Sequence, residues 1–119
     1  MRTEGIRAMG DGQAESEPTR AQLDALRGPT LVEFGTSWCG HCRAAQPRIA
    51  SALASHSNVR HVRIEDGPGR RLGRSFAVKL WPTLVFLRDG REVERLVRPQ
   101  DAALIESVLA KIASPQASR

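Results

Sequence analysis

The chain's only two cysteines are separated by two residues, in Trp38-Cys39-Gly40-His41-Cys42. An apolar run precedes them and a stretch of helical periodicity follows. Two thiols at this spacing can close a small disulfide and reopen it. A strand before the pair and a helix after it place Cys39 at a helix N-terminus. Unpaired backbone N–H groups and the helix dipole favour an anion there. A thiolate is such an anion, so the position lowers the thiol pKa and marks Cys39 as the attacking sulfur. The first reading is thiol–disulfide chemistry.

Other uses of a cysteine pair fit less well. Tetrahedral zinc needs about four ligands, and the chain has no second cysteine pair. His56 and His61 have a suitable gap between them, but a helix end and the next strand would have to fold back onto the cysteines; His41 offers no such partner. Two inert core cysteines are a poor match for Gly40 and His41 beside them. The strand–CxxC–helix context favours redox use, with no metal site.

At 119 residues the chain supports one small domain with a single core. No run approaches the ~18 apolar residues of a membrane span, so no membrane partner is expected. The segment from Met1 to Arg20 is rich in Gly, Glu and Ser and lacks the apolar core of a secretory signal, which makes the cytoplasm the expected location. A reducing compartment suits a catalytic dithiol. The net charge of +5 raises nucleic-acid binding as a possibility. The arginines are scattered, however, with only Arg70, Arg71 and Arg74 clustered, and aromatics do not interleave with them. The expectation is a solvated basic surface, no nucleic acid, and a field that favours acidic partner proteins.

Residues 1–18 read as a disordered polar tail, 19–114 as the folded domain and 115–119 as a C-terminal tail. Thr19 caps a short helix through about Leu26, ended by Gly28-Pro29. Thr30–Gly35 is a buried strand. A helix runs from Gly40 to about His56, with Ala45, Ile49, Ala52 and Leu53 on one face and Pro47 expected to kink it. Val59–Glu65 alternates, Val62 and Ile64 opposing His61 and Arg63. After the Asp66–Gly69 loop comes a short helix to about Ala77. Thr83–Arg88 is a central strand, Asp89-Gly90 a hairpin turn, and Arg91–Val97 an edge strand guarded by charge. The last helix spans about Asp101–Ala113 with Leu104, Ile105, Val108, Leu109 and Ile112 as its buried stripe. The order describes an α/β domain: a βαβ unit, then a hairpin and a helix, giving a mixed four-stranded sheet flanked by helices on both faces.

With these elements placed, residues 20–113 resemble the thioredoxin family. Trp38-Cys39-Gly40-His41-Cys42 stands at the family's active site, and Pro47 matches its proline five residues after the second cysteine. Trp81-Pro82-Thr83 matches the segment whose proline is cis in the family and lies against the disulfide. Asp89-Gly90 sits at its hairpin turn. The resemblance implies the thioredoxin fold and no cofactor beyond the Cys39–Cys42 disulfide itself. It implies Cys39 as nucleophile, Cys42 as resolving thiol, and Glu33 as the buried acid that exchanges a proton with Cys42. A glutamate in an apolar strand is expected to have a raised pKa from desolvation, with His61 on the next strand as the one plausible substitute base. The substrate groove is implied at Trp38, Gly40, His41, Trp81, Pro82, Thr83 and Arg98.

Four positions depart from the family pattern. His41 replaces a proline and gives the Cys-Gly-His-Cys of protein disulfide isomerases. An imidazolium there would stabilise the thiolate and move the pair from ~−270 mV towards ~−180 mV, about 4 kcal/mol. Gly35 stands where many thioredoxins carry tryptophan, a missing wall that Trp81, in place of the usual isoleucine before the cis-proline, would either partly refill or leave open while offering substrate a flat contact. Arg98 replaces a glycine and is expected to filter partners rather than alter the chemistry. The N-terminal segment is too short or too polar to supply the family's first edge strand. The expected function is a thiol–disulfide oxidoreductase acting on protein disulfides, served by a reductase or other electron donor that the sequence does not identify. The alternative is a binding or chaperone module with one dedicated partner.

Overall fold

The protein is described by a computed structural model covering residues 17–114. Its elements are α1 (Arg20–Asp24), β1 (Pro29–Gly35), α2 (Gly40–Leu53), β2 (Arg60–Glu65), α3 (Arg71–Ser75), β3 (Thr83–Arg88), β4 (Arg91–Val97) and α4 (Ala102–Ala113). The strands form one mixed sheet in the order β2-β1-β3-β4. β1 pairs in parallel with β2, through the α2 crossover, and antiparallel with β3, which pairs antiparallel with β4. This is the expected thioredoxin architecture.

Alternation along the central strands divides the core in two. Leu31, Leu84 and Phe86 face α2 and α4, packing on Ala45, Ile49, Ala52, Ile105 and Leu109. Val32, Phe34, Val85 and Leu87 face α1 and α3, packing on Leu23, Leu72 and Phe76. Glu33 falls between Leu31 and Gly35 and so lies on the α2 side, within the sheet's buried surface.

Local chemistry sets the element ends. Thr19 and Gln22 form a reciprocal capping box on α1, and Asp101 accepts from the Leu104 N–H at 2.8 Å to cap α4. Asp89 and Gly90 both have positive φ, 52° and 82°, as a two-residue hairpin turn requires. Gly90 also lets the turn rest on α1, since a Cβ there would lie 1.9 Å from the Asp24 carbonyl oxygen.

Some details differ from the sequence expectations. α2 ends at Leu53, before His56, and passes through Pro47 without ending there. Leu104 is 44% exposed instead of joining the α4 stripe, because it borders the face that turns Ile105, Val108, Leu109 and Ile112 inward. Of the expected N-terminal tail, residues 1–16 lie outside the described residues, whereas Glu17 accepts from Arg70 at 3.1 Å and Pro18 is buried. Residues 115–119 also lie outside them. Among the described residues no strand precedes β1, and no helix is long and apolar enough to cross a membrane.

Candidate active site

β1 ends at Gly35, and a short turn delivers Cys39 to the N-cap of α2. Cys39 is extended (φ −85°, ψ 121°), and its Sγ accepts the Cys42 N–H at 3.2 Å. The sulfur thus takes the place of a capping oxygen, facing the positive end of a 14-residue helix. A place at the helix start does not leave Cys39 exposed. The two residues are 7% and 4% exposed, since Cys39 turns inward to cap the helix.

Their electrostatics differ more than their cover. Burial, the largest influence on Cys39, pushes its thiol pKa up. Hydrogen bonds from the Cys42 thiol and from the backbone N–H groups of Cys42 and His41, with the positive charge of Arg98, outweigh it and leave the pKa lowered. Cys42 is pushed up to about 12, first by burial, then by its hydrogen bond to Cys39 and by the negative charges of Cys39 and Glu33. The surroundings thus push the two thiols in opposite directions, favouring ionisation at Cys39 and the protonated form at Cys42. His41 contributes its amide to this arrangement; its side chain is exposed, and Gly40 beside it is exposed as well.

Behind Cys42 lies a buried polar cluster. The Glu33 carboxylate, wholly buried, accepts from Gln46 Nε2 at 2.6 Å and is 2.8 Å from His61 Nε2. Arg63 Nε is 3.7 Å from Oε1. Gln46 also donates to the Cys42 carbonyl oxygen at 3.1 Å, tying the carboxylate to the first turn of α2. The expected rise in the Glu33 pKa is corrected. Burial does push it up and is the largest influence, but the hydrogen bonds from His61 and Gln46 and the charges of His61 and Arg63 together leave it lowered.

The opposite wall comes from the loop before β3 and the end of β4. The Trp81–Pro82 peptide is cis, and the Trp81 carbonyl oxygen lies 4.0 Å from Cys39 Sγ. Thr83 is buried, its hydroxyl donating to the Leu80 carbonyl oxygen at 2.5 Å. Trp38, 66% exposed, meets Trp81 edge-on at 5.6 Å. Trp81 Nε1 donates to Asp66 Oδ2 at 2.8 Å, which fixes the indole. Arg98 Nε donates to the Trp81 carbonyl oxygen at 2.8 Å.

Gly35 is occupied space rather than a gap awaiting Trp81: a Cβ there would lie 2.7 Å from Cys42 Sγ. Gln46 and Asp66 are site residues that the sequence reading missed. Gln46 stands four residues after Cys42, a same-face spacing that offers a signal. Asp66 reaches Trp81 only through tertiary folding.

Among the described residues, no group of three or more His, Cys, Asp or Glu side chains is arranged to hold a metal ion. The fold and this asymmetric dithiol define a thiol–disulfide oxidoreductase. Residues 14–111 match the family model for thioredoxin. The chain is 40% identical over 95 residues to human protein disulfide-isomerase A2, matching 75% of this chain and 18% of that much longer protein. It is 29% identical over 87 residues to thioredoxin Asp f 28 of Aspergillus fumigatus, covering 73% of this chain and 81% of that one. The structure of reduced thioredoxin 2 from Pseudomonas aeruginosa is similar with a TM-score of 0.73 and 61% identity, over 81% of this chain and 89% of that one. The chain belongs to the thioredoxin family.

Proposed function

We propose that this protein exchanges disulfides with protein substrates through a Cys39–Cys42 relay. The observation that carries the reading is the opposed poise of the two sulfurs, Cys39 lowered and Cys42 pushed up to about 12. The Cys39 thiolate attacks one sulfur of a substrate disulfide; that S–S bond breaks, and the other sulfur leaves as a thiolate and takes a proton from water. Cys42 then passes its proton to Glu33, directly or through one water, and attacks Cys39 Sγ. The mixed disulfide breaks and the second substrate thiol departs. The substrate has gained two electrons and the protein holds a Cys39–Cys42 disulfide. Renewed turnover needs a dithiol reductant, and the same steps in reverse oxidise a substrate.

The exposed Trp38 meets Trp81, whose carbonyl oxygen lies beside Cys39 Sγ. With the exposed Leu80, next to Trp81 in the chain, they offer a substrate segment apolar side chains near the site. A polypeptide substrate suits those contacts, and the cytoplasm is the compartment in which this reading keeps the dithiol available. Insulin reduction by the wild-type protein tests the activity. Trapping of protein partners by Cys42→Ser, and not by Cys39→Ser, tests the relay. Equal trapping by both variants would overturn the assignment of roles.

A further inference from the structure

Arg98 follows β4 with φ at 50°, in the left-handed region, and its N–H donates to the Pro82 carbonyl oxygen at 3.0 Å. This bend returns the side chain over the loop before β3, where Nε meets the Trp81 carbonyl oxygen at 2.8 Å. The same oxygen lies 4.0 Å from Cys39 Sγ, so guanidinium and sulfur converge on one atom. Arg20, Arg63, Arg70 and Arg95 each face a carboxylate, whereas no described carboxylate pairs with Arg98. Its charge is anchored, partly buried and unneutralised.

We propose that Arg98 is the cation that holds Cys39 as a thiolate, set in place by its bond to the Trp81 carbonyl oxygen. This rests on Cys39 being the attacking sulfur. A fixed positive charge in a partly water-excluded site favours an adjacent anion more strongly than it would in bulk water. Arg98 lowers the Cys39 pKa in addition to the hydrogen bonds from Cys42 and His41, which contribute more. The effect extends to redox balance. Reducing the Cys39–Cys42 disulfide takes two electrons and, with Cys39 left as a thiolate, one proton, which goes to Cys42. A cation beside Cys39 stabilises that product and makes the pair more oxidising. Arg98 thus acts on the chemistry itself, beyond any effect on which partners fit.

The test compares wild type with Arg98→Gly and Arg98→Lys. Glycine tolerates the left-handed φ, so the first variant removes the charge without straining the backbone. Reduced protein is alkylated with iodoacetamide, a small neutral reagent that needs no substrate groove, across about pH 5–9, and potentials are measured against glutathione. Arg98→Gly should move the Cys39 midpoint to higher pH, with alkylation below it about tenfold slower for each unit moved, and should make the pair more reducing. Arg98→Lys should keep most of the wild-type midpoint. Wild-type behaviour of Arg98→Gly in both measurements would overturn the proposal while leaving the relay intact. A lysine variant that matches glycine would overturn it too, by assigning the effect to the hydrogen bond and not to the charge. Failure of wild type to react first at Cys39 would instead overturn the relay.

Discussion

Glu33 and His61, on adjacent parallel strands, bring a carboxylate oxygen and an imidazole nitrogen to 2.8 Å, the carboxylate side chain 0% and the imidazole side chain 26% exposed. Glu33 therefore touches solvent only through its partners, and both His61 and the 36% exposed Arg63 reach it. In the proposed relay a proton taken from Cys42 would leave along the Glu33–His61 pair, since an imidazole can carry it and a guanidinium cannot.

Glu33→Gln should slow release of the mixed disulfide and leave the first attack nearly unchanged. A general base contributes about 10²–10⁴ in rate, and glutamine keeps the shape while losing the base. The pH dependence follows from the lowered Glu33 pKa. The carboxylate stays ionised across pH 5–8, so its contribution to the resolving step should be lost only as pH falls through its depressed folded value. The contribution to folding stability has the same sign, present above the ordinary value of 4.5 and lost at lower pH. Rapid-mixing decay of the mixed disulfide across pH measures the effects on the resolving step, and urea midpoints across pH measure the stability. A Glu33→Gln rate equal to wild type would make the carboxylate merely structural.

Alkylation near pH 6 should label Cys39 well ahead of Cys42, despite their nearly equal cover. The reason is thiolate fraction rather than access, since a Cys42 pKa of about 12 leaves almost no thiolate there. Peptide mapping after brief labelling gives the order. Preferential labelling of Cys42 would reverse the two roles.

Much of this was readable along the chain because it depends on neighbours in sequence. Thr19 and Asp101 cap helices three residues away, and Asp89-Gly90 makes its own turn. Period-two alternation correctly set His61 and Arg63 opposite Val62 and Ile64. What alternation could not supply was the sign of the Glu33 shift. That sign depends on Gln46, His61 and Arg63 arriving from α2 and β2 to outweigh desolvation. The Trp81–Asp66 bond and the Arg98–Trp81 bond likewise exist only after the loop before β3 has docked. Local pattern placed Cys39 at the helix start; tertiary contacts determined how that sulfur is covered and charged.

His41→Pro should make the Cys39–Cys42 pair more reducing, for a reason other than loss of an imidazole. Proline has no N–H, and the His41 amide is one of the donors that lower the Cys39 pKa. A hydrogen bond to a charged group is worth about 1.5–3 kcal/mol, or about 30–60 mV for a two-electron couple. His41→Ala keeps the amide and should stay close to the wild-type potential. Equilibration with glutathione separates the two variants. An alanine shift as large as the proline shift would return the effect to the side chain.

Gly73→Ala should destabilise the protein through Trp81, although the two residues are not in the same element. Alanine in α3 would ordinarily help by about 0.5–1 kcal/mol. Here the added Cβ would lie 2.1 Å from Asp66 Oδ1, so the carboxylate must move. Asp66 Oδ2 is the acceptor that holds Trp81 Nε1 at 2.8 Å, and losing a charge-assisted hydrogen bond of about 1.5–3 kcal/mol outweighs the helix gain. Urea midpoints should therefore fall for Gly73→Ala and for Asp66→Ala separately. In the double variant the clash has no target, and alanine at position 73 should become neutral or stabilising. Indole fluorescence, which comes from only Trp38 and Trp81, should change with each single variant. Additive losses in the double variant would show that Gly73 is not there to make room for the Asp66 carboxylate.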